Sequence, residues 1–276
     1  MKKTLVVLII LGSFLFPNGV FAHTTVHFLD VGQGDCTIVQ SAGETLVIDT
    51  GSPNARAALA EHLNTYDINH IDTLVLTHPH DDHDGSFGFL VNSYEIGTLY
   101  MPEYADDEED YGGLLRQAVS GGTQIRYPAV GDQFTIGDAT ITILSAADPG
   151  QYPDDRNLWS IVSKIEDGAT SVIIMGDAED INEYAMIDAD LDLDADILRV
   201  GHHGSNTSTT GAFVEAVSPD LAIISCGAGN SYGHPHEEPL DTLTEYSVLV
   251  MRTDLYGSIQ ITSDGTSYRV NREKGG

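Results

Sequence analysis

The residues best equipped for chemistry in this sequence form one short cluster, residues 78–84, which read HPHDDHD. The cluster directly follows an apolar segment, residues 72–77, that is predicted to be a buried strand, so a rigid scaffold would hold the loop. Neutral imidazoles and carboxylates are ligands that suit Zn²⁺, Mn²⁺ or Fe²⁺. A lone His-x-His pair is often a surface coincidence, but three histidines and three aspartates in seven positions predict a metal site.

Three further polar motifs also stand at the ends of predicted strands. They are Asp49-Thr50-Gly51, Gly176-Asp177-Ala178-Glu179 and Gly201-His202-His203-Gly204-Ser205. Together with the histidine cluster, and in the same order, they resemble the motifs of the metallo-β-lactamase superfamily. In that family the third motif carries a carboxylate that bridges two metals, and the last supplies the final histidine ligand.

A nearer resemblance covers nearly the whole chain, from about residue 24 to residue 270. Residues 28–35 (FLDVGQGD), 201–208 (GHHGSNTS) and 230–236 (NSYGHPH) are similar to the extracytoplasmic metallo-β-lactamase-like domain of ComEC/Rec2 competence proteins. The same branch resembles secreted phosphorylcholine esterases. The sequence has no polytopic channel and no room for an OB-fold domain, so DNA import is not expected of it.

The resemblance implies an α/β fold, the four-layer αββα metallo-β-lactamase sandwich, with a binuclear metal site at one edge. The implied ligands are His78 and His80 for one metal, Asp82 and His83 for the second, and Asp177 as the bridge between them. His202, which directly follows the glycine at the strand end, would complete the second metal site. Zn²⁺ is the first candidate for both ions, with Mn²⁺ as the alternative.

Neighbouring polar residues take supporting roles in this assignment. His203 would orient a ligand or contact the substrate, and Asp49 would hold a ligand by hydrogen bonding. His234 would donate a proton to the leaving oxygen, or else be a structural histidine bonded to backbone. The predicted catalytic residues are therefore Asp82, Asp49 and His234.

The sequence departs from the superfamily pattern at one ligand of the first metal. A third histidine normally stands between the histidine cluster and the bridging aspartate, but between His83 and His202 this sequence has no histidine. The loop before the predicted strand at residues 160–165 contains Asp155 and Asn157 instead. The missing ligand is then Asn157, Asp155, His234 or water, and one ion would be held less firmly or Mn²⁺ accepted in place of Zn²⁺.

Two divalent ions about 3.5–4 Å apart lower the pKa of a shared water and clamp both the attacking and the leaving oxygen. Such a site suits the hydrolysis of a phosphodiester, either nucleic acid or a small ester such as a phosphorylcholine decoration. Ser205 and Asn206 would present a hydroxyl and backbone N–H groups to a phosphoryl oxygen ahead of a predicted helix. An ordinary cap of that helix is the alternative role for these two residues.

The charge balance limits the partners of the protein. Of 276 residues, 42 are Asp or Glu and 12 are Lys or Arg, which gives a formal charge of −30. Such a chain repels phosphate backbones at long range, so stable nucleic-acid binding is not expected. Screening within roughly 8–10 Å still leaves a local metal site free to attract a phosphodiester.

The first 22 residues have the composition of a signal peptide. Lys2 and Lys3 precede an apolar run at residues 5–16, and Val20-Phe21-Ala22 supplies the small residues at positions −3 and −1 that a signal peptidase needs. We therefore expect export, cleavage after Ala22, and a secreted or periplasmic protein without membrane attachment. A retained N-terminal anchor is the alternative.

The remaining chain, residues 23–276, is expected to form one hydrolase domain because strands and helices alternate without a linker-like segment. Strands are predicted at residues 26–30, 36–40, 45–48, 72–77, 197–200 and 221–225, and a helix at residues 55–66. Hairpins are predicted around Gly137-Asp138, Asp167-Gly168 and Asp264-Gly265, and residues 104–111 are predicted to be a solvated loop. Cys36 and Cys226 are expected to be buried, with a bridge between them as the alternative.

Two other functions remain open from the sequence. The same site would also suit a lactone, a β-lactam or a thioester, because the fold supports all of these reactions. The missing third histidine leaves room for a metal-stabilised binding module without turnover.

Overall fold

A computed structural model describes residues 24–103 and 109–274 of the chain. The strands are β1 (Thr24–Phe28), β2 (Thr37–Ser41), β3 (Glu44–Ile48), β4 (His70–Val75), β5 (Glu95–Tyr100), β6 (Gln124–Arg126), β7 (Gln133–Ile136), β8 (Ala139–Ser145), β9 (Val162–Asp167), β10 (Thr170–Ile174), β11 (Ile197–Arg199), β12 (Leu221–Ile224), β13 (Leu249–Arg252), β14 (Ile259–Ser263) and β15 (Tyr268–Arg272). The helices are α1 (Arg56–Thr65), α2 (Asp81–Asp84), α3 (Phe87–Ser93), α4 (Glu109–Ser120), α5 (Asp180–Asp188), α6 (Gly211–Val217), α7 (Glu237–Glu245) and α8 (Thr253–Tyr256). Three 3-10 turns lie at Pro53–Ala55, Arg156–Trp159 and Gly201–Gly204.

The strands form two mixed sheets. The first has the order β15-β14-β1-β2-β3-β4-β5-β6, and the second has the order β13-β12-β11-β10-β9-β8-β7. Strands β3 to β6 run parallel in the first sheet, and β10 to β13 run parallel in the second. The carboxyl ends of parallel strands meet at one edge of a sheet, where ligand sites of α/β folds commonly form.

Apolar side chains divide the molecule into four layers. Ile48 of β3 and Ile141 of β8 belong to a core between the two sheets. Leu59 of α1 packs in a second core on the outer face of the first sheet, and Phe213 of α6 packs in a third core on the second sheet. Since successive strand residues point to opposite faces, Val47 of β3 joins the helix-covered core while Ile48 joins the central one. The predicted αββα sandwich is therefore confirmed.

Most predicted elements lie where the sequence places them, with ends shifted by at most two residues. The three hairpins are confirmed as the antiparallel pairs β7–β8, β9–β10 and β14–β15. The helix predicted at residues 55–66 is α1, preceded by a 3-10 turn that Pro53 begins. Cys36 and Cys226 are both buried and unpaired.

Two predictions about helices need correction. The predicted loop at residues 104–111 is wrong at its end, because α4 already begins at Glu109; residues 104–108 lie outside the described residues. The helix predicted to follow Ser205 and Asn206 does not adjoin them: it begins at Gly211, where the Thr210 hydroxyl accepts a hydrogen bond from the Phe213 N–H at 3.3 Å.

The predicted signal peptide, residues 1–22, also lies outside the described residues. Within residues 24–103 and 109–274, no helix combines the length and the apolar character that crossing a membrane requires.

Candidate metal centre

The histidine cluster is anchored by a carboxylate from the neighbouring strand. Asp49 directly follows β3 and is fully buried, with a left-handed φ of 61°. Its Oδ1 accepts the Thr77 backbone N–H at 2.8 Å, and its Oδ2 accepts the Thr77 hydroxyl at 2.8 Å. Asp49 Oδ2 also lies 2.7 Å from Nδ1 of the buried His83. This contact is the one that an orienting role for Asp49 requires.

The contacts at Nδ1 determine which nitrogen of each histidine carries the proton. His83 Nδ1 faces a carboxylate, so in the neutral ring this nitrogen carries the proton and donates, and Nε2 keeps its lone pair. His203 Nδ1 lies 2.9 Å from the backbone oxygen of Ser225, which can only accept. His203 Nε2 therefore also presents a lone pair. The second nitrogen of each ring is thus free to bind a cation.

One oxygen of Asp177 faces the first group of these lone pairs. Asp177 Oδ1 lies 3.1 Å from His83 Nε2 and 3.5 Å from His203 Nε2. His203 Nε2 is in turn 3.3 Å from Asp82 Oδ2 and 3.3 Å from His83 Nε2. The ligand atoms of Asp82, His83 and His203 thus lie within 4.8 Å of one another, and both histidines face Asp177 Oδ1.

The other oxygen of Asp177 faces a second group. Asp177 Oδ2 lies 3.8 Å from His78 Nε2 and 3.7 Å from His202 Nε2. His78 Nε2 is 3.0 Å from His80 Nδ1. His202 Nδ1 is 3.2 Å from Glu179 Oε1, so His202 Nε2 also keeps its lone pair.

The donor set fits divalent cations. Lone pairs of nitrogen and oxygen face one another in a buried site, and Asp177 Oδ1 has no hydrogen-bond partner among the described residues. Acceptors that face one another repel unless a proton or a cation lies between them. Imidazole and carboxylate are ligands for Zn²⁺ and also for Mn²⁺, so these contacts do not select the metal.

The same contacts shift the pKa values of the cluster. Burial alone would raise the pKa of Asp177, but His203 and His83 hold it well below its usual value. Burial alone would lower the pKa of His83, but Asp177 and Asp49 raise it well above its usual value. For His78, burial dominates and the pKa is lowered. The opposite shifts of His83 and Asp177 mean that each residue stabilises the charged form of the other.

A pocket of about 480 Å³ opens above the cluster. Its lining consists of Gln33, Pro79, His80, Asp81, Asp82, Arg156, Asn157, Asp177, His202, His203, Tyr232 and His234. Burial, followed by the nearby His203 and His202, lowers the pKa of His234 to about 4. His234 is therefore a neutral imidazole at pH 7, and substrate binding would have to raise its pKa before it could act as an acid.

The residues predicted to bind substrate differ in their accessibility. Ser205 is buried, and its hydroxyl oxygen accepts the Thr207 N–H at 3.4 Å. The Asn206 N–H donates to His236 Nδ1 at 3.0 Å. The backbone N–H groups of Asn206 and Thr207 are thus hydrogen-bonded within the protein, and α6 begins only at Gly211. His203, which the sequence placed near the substrate, is only 1% exposed and lies within the ligand cluster.

Sequence analysis did not identify one buried ion pair beneath the site. Arg199 is fully buried at the end of β11, and its Nη2 lies 2.6 Å from Asp35 Oδ2 and 3.4 Å from His203 Nδ1. Arg199 Nη1 also donates to the Gly176 carbonyl. The sequence indicates this pair only through a single arginine at the end of an apolar strand. A charge buried there requires a partner.

The loop that replaces the missing histidine is held by hydrogen bonds. Asp155 caps the 3-10 turn by accepting the Asn157 N–H at 3.1 Å. Asn157 lines the pocket, and its Nδ2 donates to Glu179 Oε1 at 3.0 Å. Sequence analysis also missed this role of Glu179.

Comparison with known proteins agrees with this architecture. The family model of the metallo-beta-lactamase superfamily matches residues 29–228. The chain is 32% identical over 265 residues to ComE operon protein 3 of Bacillus subtilis, covering 90% of this chain and 34% of that protein. It is 31% identical over 241 residues to Recombination protein 2 of Haemophilus influenzae, covering 86% and 28%. The chain thus spans about a third of the length of these relatives.

A solved structure shares the fold at low sequence identity. YhfI from Bacillus subtilis, described as a metallo-beta-lactamase fold protein, superimposes with a TM-score of 0.57 at 16% identity. The alignment covers 83% of this chain and 96% of that one.

Proposed function

The chain belongs to the metallo-beta-lactamase superfamily, and we propose that it is a secreted hydrolase that cleaves phosphodiesters at a site for two divalent cations. One observation carries the proposal: the two oxygens of the buried Asp177 each face a separate group of imidazole nitrogens. A bridging carboxylate between two ions requires this arrangement. The open pocket above it gives a substrate access.

The proposed ligands keep the pairs that the sequence analysis named and change one residue. His78 and His80 would hold one ion, Asp82 and His83 would hold the other, and Asp177 would supply an oxygen to each. We assign His203, in place of His202, to the ion of Asp82 and His83, because His203 Nε2 lies 3.3 Å from both Asp82 Oδ2 and His83 Nε2. The neighbouring histidines have left-handed backbones, with φ of 47° and 54°, which no local sequence pattern indicates.

Two divalent ions supply a Lewis acid and an activated water at neutral pH. The protein residues orient the metal ligands and contact the substrate. Asp49 fixes the ring of His83, and the Ser225 carbonyl fixes the ring of His203. Arg156 lines the pocket as a cation for an anionic substrate, and His234 would take a proton released by the attacking water and donate it to the leaving oxygen.

The charge of the chain favours a small phosphodiester or a short nucleic-acid end over a long duplex. A formal charge of −30 opposes stable binding of nucleic acid. The composition of residues 1–22 supports export and a free mature chain from His23 onward. The mass of the protein purified from the exporting cell tests the expected cleavage after Ala22.

The function is tested by a metal-by-substrate screen. The purified chain is stripped with a chelator, reloaded with Zn²⁺ or Mn²⁺, and assayed with bis(p-nitrophenyl) phosphate, a lactone and a β-lactam. We expect phosphodiester turnover that disappears on chelation and returns with metal. Preferred turnover of the lactone or the β-lactam would instead assign that bond to the site. Phosphodiester turnover that survives complete removal of metal would contradict the proposal, and binding of two ions without any turnover would favour a binding module.

A further inference from the structure

We infer that His202 is the third imidazole of the ion held by His78 and His80, and that Glu179 is the positioning residue that aims it. The inference rests on the proposed two-ion function and fills the position left by the absent histidine. The two neighbouring histidines of residues 202–203 would then serve different ions, so one short turn completes both halves of the site.

The distances to Asp177 separate the two histidines. His202 Nε2 lies 3.7 Å from Asp177 Oδ2, the oxygen that lies 3.8 Å from His78 Nε2. His203 Nε2 lies 3.5 Å from Asp177 Oδ1, the oxygen next to His83. Within the described chain, the imidazoles that approach Asp177 to 4.0 Å or less therefore divide into two pairs, one at each oxygen.

Glu179 fixes the ring of His202 in this direction. Glu179 Oε1 lies 3.2 Å from His202 Nδ1 and accepts the Thr207 hydroxyl at 3.0 Å. The Glu179 side chain also caps the first turn of α5 through a reciprocal bond with Asn182. A carboxylate on the far nitrogen of a metal-binding histidine sets the ring orientation and strengthens the ligand.

Asn157 belongs to the same support. Its amide donates to Glu179 Oε1 at 3.0 Å, so the residue in place of the absent histidine holds the carboxylate that holds His202. His234 takes no part in these hydrogen bonds, and its ring centre lies 5.6 Å from that of His202. The hydrogen-bonded chain of Asn157, Glu179 and His202 thus connects the altered loop to the ligand that compensates for it.

Paired substitutions test which histidines share an ion. Each variant of the purified chain is titrated with Zn²⁺ by calorimetry, and bound metal is counted by elemental analysis. We expect two ions in the wild type, and one ion of near wild-type affinity in the His78→Ala/His202→Ala double variant, because both changes affect the same ion. The His78→Ala/His203→Ala double variant damages both ions, and we expect it to bind neither tightly. The reverse pattern would overturn the inference.

Glu179→Gln tests the positioning role with little effect on folding, because glutamine keeps the shape of the side chain and an acceptor oxygen. We expect the affinity of one ion to fall about tenfold while the other is unchanged. Asp180→Asn is the matched control, because it also removes one negative charge, but from the exposed side chain of the next residue. An unchanged isotherm for Glu179→Gln, or an equal change for Asp180→Asn, would contradict the role of Glu179.

Asn157→Ala identifies the rival ligand. We expect it to weaken one ion about as much as Glu179→Gln does, and to leave two ions bound. If Asn157→Ala removes an ion outright while His202→Ala keeps both, then Asn157 is the third ligand and the inference fails, although the proposed function stands. If the wild type binds no metal and is inactive, both fail. The unfolding temperature of each metal-free variant excludes loss of the fold as the cause.

Discussion

At the scale of single residues, hydrogen-bond direction defines the site. Asp49 accepts a hydrogen bond from Nδ1 of His83, and the Ser225 carbonyl accepts one from Nδ1 of His203. The Nε2 lone pairs of both neutral rings therefore point into the site. Oδ1 of the buried Asp177 faces these two lone pairs, and its Oδ2 faces His78 and His202. The chemistry of the site therefore depends on tautomers that the surrounding chain has already selected.

The first prediction concerns the bridge. Asp177→Asn removes the negative charge between the two imidazole groups, so we expect the second ion to be lost and phosphodiester turnover to fall roughly a thousandfold, as the loss of several kcal/mol of transition-state stabilisation implies. Metal content and kcat, measured on the same preparation, check this. Asp188→Asn, at the exposed end of α5, is the control and should change neither. Full activity of Asp177→Asn with two ions bound would exclude the bridging role.

The second prediction concerns the buried ion pair. Arg199→Met leaves the buried Asp35 without its 2.6 Å partner, so we expect the free energy of unfolding to fall by about 3–5 kcal/mol. Urea denaturation of the metal-free protein measures this loss. Adding Asp35→Leu should recover much of the stability, because the unpaired charge is then gone. A single variant as stable as the wild type would show that the pair is not structurally required.

Some of the site was predictable from residue types and some was not. The cluster at residues 78–83 predicted metal ligands because several good ligands stand together after a strand. The contact between Asp35 and Arg199 joins residues far apart in the sequence, so only the folded chain reveals it. The different directions of His202 and His203 follow from a left-handed backbone that histidine rarely adopts, and no local pattern signals it.

At the scale of elements, the turn between β1 and β2 contacts the loop that carries the proposed metal ligands. In the turn after β1, the Asp35 N–H donates to the Asp82 carbonyl at 3.0 Å. Gly34 makes this contact possible, because a Cβ there would lie 2.5 Å from the same carbonyl oxygen and its φ is +140°. The turn and the ligand loop therefore share one backbone contact.

The third prediction tests that contact. Gly34→Ala should push the ligand loop away from the turn, and we expect weaker metal binding together with a lower unfolding temperature. Gly32→Ala is the matched control: its φ of +77° is also left-handed, but a Cβ there has no neighbour within 4 Å. Calorimetric titration and thermal unfolding measure both effects. Equal effects of the two variants would show that backbone strain alone, without the close approach to Asp82, explains the loss.

The fourth prediction concerns pH and strand β1. Burial, assisted by the nearby His62, lowers the pKa of His27 to about 4 from 6.5, although Gln40 opposes the shift. A depressed histidine pKa means that the unfolded state binds the proton more readily, so the stability due to His27 is present above pH 6.5 and is lost as the pH falls towards 4. The expected loss is about 3 kcal/mol.

His27→Phe removes this proton site and keeps a ring against Tyr66. Urea denaturation at several pH values measures the free energy of unfolding of both proteins. On acidification we expect the wild type to lose stability relative to His27→Phe. A difference that stays constant between pH 7 and pH 4 would contradict the assigned shift.

At the scale of the whole molecule, the site joins the two sheets. The cluster at residues 78–83 and Asp49 follow strands of the first sheet, while Asp177 and residues 202–203 follow strands of the second. The sequence predicted the strands and their order of motifs, because apolar periodicity and turn residues are local. It did not predict which atoms meet, because that depends on how the two sheets pack.

The negative charge of the chain and the proposed metal ions also act at this scale. We expect the formal charge of −30 to oppose the approach of long polyanions, whereas Arg156 and the proposed metal ions would attract a small anion into the pocket. The proposed function therefore implies that substrates are selected by size as well as by bond type.

The most direct measurement of the central claim is a crystal structure of the metal-loaded chain with anomalous diffraction data collected at the absorption edge of the bound metal. We predict two anomalous peaks in the site. One should lie beside Asp177 Oδ1 near Asp82, His83 and His203, and the other beside Asp177 Oδ2 near His78, His80 and His202. A fully active crystal form with a single peak, or with no peak within bonding distance of Asp177, would contradict the account.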